Sequence, residues 1–217
     1  MKIKICGITN LEDAVAAIEA GADLLGFNFY RQSVRYVEPE VARSIVEKIR
    51  SGVRRPQLIG VFVNSPLREI QSILRAVDLD QAQLHGDEPI EMLRQVNGFK
   101  AIRPQSPAEA EKQAKTYAVE NEPALLLDAH RTGEYGGTGQ VGDWSLAATI
   151  ARQYPILLAG GLTPENVADA IRQVQPWGVD VASGVERAPG RKDAAKMQAF
   201  VVNARAVNGQ TDRNGLR

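Results

Sequence analysis

The amino-acid sequence predicts a single-domain (β/α)₈ barrel, and three observations support that prediction. Apolar runs rich in Val, Ile, Leu and Phe recur eight times along the 217 residues, and segments of helical periodicity separate them. Nearly continuous apolar strands that alternate with helices indicate a parallel sheet covered by helices, because parallel strands need crossover connections. The length also suits one such barrel. An open doubly wound sheet would show the same alternation, so the count of eight units favours the barrel.

The predicted strands are short apolar runs, a composition typical of strands that are buried on both faces. In chain order they are Lys2–Cys6, Asp23–Phe29, Gln57–Val63, Gln81–His85, Phe99–Arg103, Ala124–Asp128, Ile156–Ala159 and Val179–Ala182.

The predicted helices have apolar residues at helical spacing, and several open on a proline or follow a capping residue such as Asn10 or Ser106. In chain order they are Leu11–Ala20, Pro39–Arg50, Pro66–Val77, Ile90–Val96, Pro107–Ala118, Ser145–Gln153, Pro164–Val174 and Asp193–Ala206.

The barrel domain is expected to occupy residues 1–206, and the polar segment 207–217 is expected to form a frayed C-terminal tail. Two strand-to-helix connections, residues 30–38 and 130–143, are longer than a turn requires. In a barrel both would lie at the C-terminal ends of the strands, where barrel enzymes bind substrates. We therefore expect these two connections to be active-site loops.

The composition argues against several classes of partner. The formal net charge is zero, which supplies no long-range attraction for nucleic acid or for an anionic membrane surface. Cys6 is the single cysteine, so an intramolecular disulfide is impossible and a reducing compartment fits. No run approaches the roughly 20 apolar residues of a membrane-spanning helix. We expect a cytoplasmic protein that acts on a small molecule, without nucleic acid or membrane, as a monomer or a homodimer.

Cys6 is the first candidate for chemistry, because a thiolate can act as a base or as a nucleophile. Alternation along the strand places Lys4 on the same face, and an ammonium group there would lower the pKa of the thiol. The alternative is that Cys6 is an inert buried residue, as free cysteines often are. Its position at a strand end, directly before Gly7 and a helix start, favours the catalytic interpretation.

Asp128 ends an apolar run, where a carboxylate without a polar environment would be costly to bury. We interpret it as a catalytic acid that faces a polar pocket; the alternative is that it caps the backbone of the following loop. His85 occupies a similar position after Gln83 and Leu84, and it either contacts substrate or hydrogen-bonds only to its neighbours.

Three glycine clusters indicate a phosphate site, since exposed amides in such loops can bind an anion. Glycine also marks ordinary turns, but two of these clusters follow the seventh and eighth predicted strands, where barrels frequently bind phosphate. The expected phosphate-binding residues are Gly137, Thr138, Gly139, Gly160, Gly161, Ser183 and Gly184.

Arg35 lies in the loop after the second strand, where a guanidinium group could bind a substrate carboxylate in bidentate fashion. By itself it could equally be a solvated loop arginine. Two histidines and one cysteine, without carboxylates clustered at ligand spacing, give no support for a metal site. No nucleophile-elbow sequence is present either.

A set of motifs that runs through the whole chain resembles the phosphoribosylanthranilate isomerase family of tryptophan biosynthesis. The matching segments are 4–9 (KICGIT), 26–29 (GFNF), Ser33 with Arg35 and Tyr36, 60–64 (GVFVN), 83–88 (QLHGDE), Leu127 with Asp128, 136–139 (GGTG), Asp143 with Trp144, 159–162 (AGGL), 164–167 (PENV), 183–186 (SGVE), Pro189 with Gly190, and Lys192 with Asp193.

The resemblance implies a cofactor-free Amadori rearrangement of N-(5-phosphoribosyl)anthranilate to 1-(2-carboxyphenylamino)-1-deoxyribulose 5-phosphate. It implies that Asp128 is the general acid that protonates the furanose ring oxygen and that Cys6 is the general base that removes the proton from C2. It also implies that Arg35 faces the anthranilate carboxylate and that the late glycine loops bind the phosphate. We add Lys4 and His85 to the expected substrate-binding residues.

The sequence departs from the family pattern at a few loop positions, which bear on loop packing and phosphate affinity. These are Arg31 and Gln32, Gln140, Gly142 and Ala182. Two other functions stay open at this point. One is a different phosphosugar barrel enzyme, for which a paired-aspartate or metal-ligand set would be expected; the other is a non-catalytic barrel that only binds a phosphorylated ligand.

Overall fold

The structure, a computed structural model, describes residues 1–129 and 144–211, and its eight parallel strands close into a barrel. Each strand pairs with the next along the chain, and the eighth pairs with the first. The strands are β1 (Lys2–Cys6), β2 (Leu24–Asn28), β3 (Gln57–Phe62), β4 (Gln81–Leu84), β5 (Gly98–Ile102), β6 (Leu125–Asp128), β7 (Ile156–Ala159) and β8 (Gly178–Val181). This closure confirms the predicted barrel, since an open sheet would leave two unpaired edges.

In the described part of the chain, eight helices pack around the barrel, and two of them begin at the predicted capping residues. Asn10 Oδ1 accepts from the N–H of Asp13 at 2.9 Å, and Ser106 Oγ accepts from the N–H of Glu109 at 3.2 Å. None of the described helices is long and apolar enough to cross a membrane. The helices are α1 (Leu11–Ala20), α2 (Pro39–Arg50), α3 (Leu67–Val77), α4 (Ile90–Leu93), α5 (Pro107–Tyr117), α6 (Trp144–Ala151), α7 (Val167–Val174) and α8 (Ala194–Thr211).

Three helices have one end that lies three or more residues from its predicted position, and among them α7 begins at Val167 rather than Pro164. Helix α4 ends at Leu93 rather than Val96, because the chain must already turn toward β5, which begins at Gly98. Helix α8 continues from the expected end at Ala206 to Thr211, and no proline interrupts it. Residues 207–211 of the expected tail are therefore helical, and residues 212–217 lie outside the described part of the chain.

The barrel separates two sets of buried side chains, as the alternation along each strand requires. Side chains on the outer face, such as Ile3 and Ile5, pack with the helices in one large apolar core. A smaller apolar cluster comprises Leu24, Ile59, Phe99, Ala101, Leu126, Leu157 and Ala159. The buried polar side chains include Lys4, Gln83 and Asp180.

The chain after β8 forms the last elements near the C-terminal ends of the strands. A short 3₁₀ turn at Ser183–Val185 leads into a small antiparallel hairpin of β9 (Glu186–Ala188) and β10 (Arg191–Lys192). Thr9 Oγ1 donates to the carbonyl of Gly190 at 2.8 Å and so ties the hairpin to the loop after β1. This hairpin places Glu186 and Lys192 beside residues from the start of the chain.

Candidate active site

A cavity of about 370 Å³ opens at the C-terminal ends of the strands and collects most of the predicted site residues. Its walls include Cys6, Arg35, His85, Asp128, Gly160, Gly161 and Ser183. These seven residues come from six strands and the loops that follow them, so only closure of the barrel brings them together. The predicted residues Gly137, Thr138 and Gly139, and the departures at Gln140 and Gly142, lie outside the described residues.

Cys6 ends β1 and lies on the wall of the cavity, beside Gly26 of β2 in the sheet register. A side chain at Gly26 would place its Cβ 2.7 Å from the sulfur of Cys6, so the glycine leaves room for the thiol. Burial raises the pKa of the Cys6 thiol, and the neighbouring Lys4 ammonium acts in the opposite direction. The expected effect of Lys4 on the thiol is therefore present, but burial outweighs it.

Lys4 lies in the barrel interior and is absent from the cavity wall, in contrast to the expectation that it binds substrate directly. Its side chain is 0% exposed, and its Nζ donates to Asp180 Oδ1 at 2.8 Å and to Gln83 Oε1 at 2.9 Å. Burial alone would lower the pKa of Lys4, but the charges of Asp180 and Cys6 raise it above its ordinary value. Lys4 is therefore a fixed positive charge beneath the thiol.

Asp128 ends β6 on the cavity wall, and it is only partly buried. The Nε of Arg103 donates to Asp128 Oδ2 at 3.1 Å, and His85 Nε2 lies 3.9 Å from the same oxygen. Burial lowers the pKa of His85 to about 3, with further contributions from the charges of Arg103, Lys4 and Lys100. His85 is therefore neutral at physiological pH, and it cannot act there as a cationic partner for Asp128.

Arg35 extends from the loop after β2 to Glu186 of the hairpin. Its Nε and Nη2 donate to the two carboxylate oxygens of Glu186, each at 2.7 Å, and Lys192 Nζ donates to Glu186 Oε1 at 3.0 Å. Burial alone would raise the pKa of Glu186, but the hydrogen bonds from Arg35 and the charge of Lys192 lower it. Gly7, with φ +78°, makes this arrangement possible, because a Cβ there would lie 2.6 Å from Arg35 Cδ.

The bidentate partner of Arg35 in this structure is therefore a protein carboxylate. Two donors of its guanidinium group are occupied, and the group still lines the cavity. Glu186 fixes the plane and position of the guanidinium group, which is a favourable arrangement for binding a second anion.

The loops after β7 and β8 meet at one side of the cavity. Gly160 and Gly161 have φ values of +101° and +66°, conformations that glycine adopts at little cost. Asn166 closes the first loop, with its Oδ1 accepting from the N–H of Thr163 at 2.8 Å and its Nδ2 donating to the carbonyl of Gly161 at 2.9 Å. These contacts hold a turn of backbone against the cavity.

The second loop carries Ser183 on the cavity wall, while Gly184 packs behind it against the first loop. A Cβ at Gly184 would collide with the carbonyl oxygen of Leu162, so glycine is required for the two loops to approach each other. Backbone amides of two converging loops are a common form of anion site.

Several residues of the site were not among those predicted from the sequence. Gln83 and Asp180 line the cavity and surround Lys4, and Glu186 positions Arg35. Asp180 interrupts a run of apolar strand residues, a signal that could have been used. The role of Glu186 had no local signal, because it depends on a partner 151 residues away.

The geometry supports acid–base chemistry on an anionic substrate. A thiol and a carboxyl group, from β1 and β6, face one cavity, and cationic and amide groups surround it. No group of three or more His, Cys, Asp or Glu suitable for a metal ion occurs in the described ranges 1–129 and 144–211.

Comparisons with known proteins agree over nearly the whole chain. The family model for N-(5'-phosphoribosyl)anthranilate (PRA) isomerase matches residues 3–203. The chain is 46% identical over 215 residues to the N-(5'-phosphoribosyl)anthranilate isomerase of Pelobacter propionicus, covering 98% of this chain and 100% of that protein.

Two solved structures show the same similarity in three dimensions. Monomers generated from the dimeric phosphoribosylanthranilate isomerase of Thermotoga maritima match with a TM-score of 0.82 and 38% identity, covering 95% of this chain and 99% of that one. A phosphoribosyl anthranilate isomerase in complex with reduced 1-(o-carboxyphenylamino)-1-deoxyribulose 5-phosphate matches with a TM-score of 0.81 and 38% identity, with the same coverage of 95% and 99%.

Proposed function

This chain belongs to the N-(5'-phosphoribosyl)anthranilate isomerase family, and on that premise we propose that it isomerises N-(5-phosphoribosyl)anthranilate in tryptophan biosynthesis. The product is 1-(2-carboxyphenylamino)-1-deoxyribulose 5-phosphate. The observation that carries the proposal is the placement of Cys6 and Asp128 on the walls of one cavity that also contains Arg35 and the two glycine loops. An acid, a base and two anion sites are the groups that this substrate needs.

The proposed first step opens the sugar ring. Asp128, in its protonated form, gives a proton to the furanose oxygen while the bond from that oxygen to C1 breaks. The lone pair of the anthranilate nitrogen forms a double bond to C1, which leaves a cationic Schiff base. Arg103 Nε donates to Asp128 Oδ2 at 3.1 Å in this structure, so a positive charge lies near the carboxylate that results.

The proposed second step removes the proton from C2. The thiolate of Cys6 accepts this proton, and the electron pair of the C–H bond forms the C1–C2 double bond and neutralises the Schiff base. The resulting enolamine becomes the ketone by losing its hydroxyl proton and gaining a proton at C1. The Lys4 ammonium favours the thiolate, since it opposes the effect of burial on the thiol. All electrons stay within the substrate, so we propose no cofactor.

We propose that two anchors hold the reactive carbons between the acid and the base. Gly160, Gly161, Ser183 and Gly184, together with residues 137–139, would bind the phosphate. Arg35 would bind the anthranilate carboxylate with the donors that Glu186 leaves available. His85 lines the same cavity within reach of a bound substrate, whereas the buried Lys4 would act on the substrate indirectly, through its neighbours.

The partner proposed for this chain is thus a small phosphoribosyl molecule, with no nucleic acid and no membrane. A catalytic thiol must stay reduced, which supports a cytoplasmic location. We retain monomer and homodimer as the two expected states; the relationship to a dimeric relative makes the dimer the first to test.

The deciding experiment follows the loss of anthranilate fluorescence on the purified protein. We expect turnover by the wild type, and losses of at least about 100-fold in kcat for Cys6→Ala and for Asp128→Ala, the scale of general acid–base catalysis. Asp169→Ala removes a surface carboxylate on α7 and is the matched control, with wild-type turnover expected. Circular dichroism would establish that each variant is folded. Wild-type rates in either catalytic variant would refute the assignment.

The binding roles are tested separately. Arg35→Ala should raise KM more than it lowers kcat, and inorganic phosphate should compete with substrate. Tight binding of the phosphoribosyl substrate without any turnover by the wild type would favour the alternative of a non-catalytic binding barrel.

A further inference from the structure

A chain of buried side chains leads from the barrel interior to His85, and its direction is fixed at Lys4. An ammonium group can only donate hydrogen bonds, so the Gln83 atom that lies 2.9 Å from Lys4 Nζ must be the amide oxygen. The amide nitrogen of Gln83 therefore faces the other way, toward His85 Nδ1 at 2.9 Å. Because Gln83 is only 1% exposed, water cannot readily replace either partner.

This orientation determines which nitrogen of His85 carries the proton. The Gln83 amide nitrogen is a donor without an acceptor function, so His85 Nδ1 must accept and must be unprotonated. A neutral imidazole then carries its proton on Nε2, and the low pKa of about 3 for His85 excludes a second proton at physiological pH.

Among residues 1–129 and 144–211, the Nε2 proton has two polar neighbours in its contacts, and of these two Asp128 can accept it. Arg103 Nη2 lies 2.7 Å away but is itself a donor, whereas Asp128 Oδ2, at 3.9 Å, is an acceptor. Two donors cannot form a hydrogen bond with each other, so one contact to His85 must give way. Gln83 is buried and held by Lys4, whereas the Arg103 side chain is 56% exposed. Arg103 is therefore the group that moves.

Space for that movement is present in the structure. A second cavity of about 430 Å³ adjoins the first, and Arg103 and His85 line both. Rotation of the Arg103 head toward this second cavity would relieve the contact with Nε2. The imidazole N–H could then reach Asp128 by closing about 1 Å of the present separation, to ordinary hydrogen-bond length.

We propose that the chain Asp180–Lys4–Gln83 fixes the tautomer of His85, and that the Nε2–H of His85 positions Asp128 for its acid role. This inference rests on the proposed function, in which Asp128 is the general acid. The hydrogen bond holds the carboxyl group in one orientation and stabilises the carboxylate after its proton has left. Lys4 thereby influences both the proposed acid, Asp128, and the proposed base, since its charge also acts on the thiol of Cys6.

The tautomer can be read directly in the resting protein. The chain contains two histidines, so His130→Gln leaves His85 as the single imidazole signal. In nitrogen-15 NMR at pH 7 we expect His85 Nε2 to show the shift of a protonated nitrogen and Nδ1 that of an unprotonated one. A proton on Nδ1, or on both nitrogens, would overturn the proposal.

Substitution at Gln83 provides the second spectroscopic test. In Gln83→Glu the carboxylate can accept both from Lys4 and from an Nδ1–H, so the His85 proton should move to Nδ1. If the proton of His85 stays on Nε2 in the folded variant, Gln83 does not determine the tautomer.

Two substitutions of His85 separate positioning from mere packing. In His85→Gln the amide nitrogen takes the place of Nε2 and keeps a donor toward Asp128, whereas in His85→Asn it takes the place of Nδ1. We expect kcat to fall about 10- to 100-fold in His85→Asn, with little change in KM, because a misplaced catalytic group has effects on this scale. In His85→Gln we expect kcat to stay much closer to the wild-type value. Equal losses in the two variants would contradict the positioning role.

The two sets of measurements also separate this proposal from the proposed function. If the wild type has no isomerase activity but the Nε2 tautomer is found, the proposed function fails and the role of His85 in catalysis fails with it, while the fixed tautomer stands. If the wild type is active but the proton lies on Nδ1, the function stands and the positioning chain is refuted.

Discussion

Removing the charge of Lys4 should destabilise the barrel strongly, because the substitution leaves Asp180 without its partner. Lys4 is fully buried, the Asp180 side chain is 10% exposed, and their charged atoms lie 2.8 Å apart. Breaking a buried ion pair from one side typically costs about 3–5 kcal/mol, a large part of the 5–15 kcal/mol that stabilises an average domain. We therefore predict that Lys4→Met lowers the free energy of unfolding by about 3–5 kcal/mol.

Urea unfolding followed by circular dichroism measures this loss, and a double variant supplies the control. Lys4→Met combined with Asp180→Leu removes both charges, and replacing a buried pair with apolar residues is often close to neutral. We expect the double variant to recover at least about 2 kcal/mol relative to the simple sum of the single variants. If the stability losses of the two single variants simply add in the double variant, the unpaired charge is not the cause of the loss and the reasoning is refuted.

The same substitution has a second readout at the active site. The Lys4 ammonium lowers the pKa of the Cys6 thiol against the larger effect of burial, so its removal should raise that pKa further. Alkylation of Cys6 by iodoacetamide, followed as a function of pH, should shift to higher pH in Lys4→Met. An unchanged pH profile would show that the charge of Lys4 does not affect the pKa of the Cys6 thiol.

Two glycine variants and one pH dependence test the rest of the site. Gly26→Ala places a methyl carbon 2.7 Å from the Cys6 sulfur, so the thiol must shift. We expect kcat to fall about 10- to 100-fold with KM nearly unchanged. An equally large rise in KM would indicate impaired substrate binding rather than a displaced thiol. Gly7→Ala places its Cβ 2.6 Å from Arg35 Cδ, at a residue with a positive φ. We expect KM to rise and the free energy of unfolding to fall by about 1–3 kcal/mol. Steady-state kinetics measures the first effect and urea unfolding the second. His85 has a folded-state pKa of about 3 against an unfolded value of about 6.5, so the folded state binds fewer protons and loses stability as the pH falls from 6.5 toward 3. The loss should be about 3 kcal/mol at pH 4 relative to neutral pH, and it should be missing from His85→Gln in parallel urea titrations.

The sequence predicted the strand-end residues because their signal is local. A thiol before Gly7 and a carboxylate after an apolar run can each be recognised without any knowledge of their neighbours. The structure then places Cys6 and Asp128 in the lining of one cavity, as closure of an eight-unit barrel predicts. Alternation also put Lys4 on the face of Cys6, and the charge of Lys4 does reach the thiol.

The partners of these residues were not predictable in the same way. Glu186 binds Arg35 across 151 residues, and Gln83 receives a hydrogen bond from Lys4 across 79. Lys4 was expected at the substrate, but the structure buries it beside Asp180, since strand alternation gives the face of a residue and not its depth in the barrel.

The sequence by itself determined the fold class and singled out Cys6 and Asp128 as the candidate base and acid, because hydrophobic periodicity and residue chemistry are properties of short segments. Only the tertiary structure decided the net shift of the Cys6 thiol pKa, the anchoring of Arg35 by Glu186 and the direction of the hydrogen bonds from Lys4 to His85. These depend on burial and on distances between strands that closure of the barrel brings together. Electrostatic effects depend on such distances and on the exclusion of solvent, and neither can be predicted from a short segment of sequence.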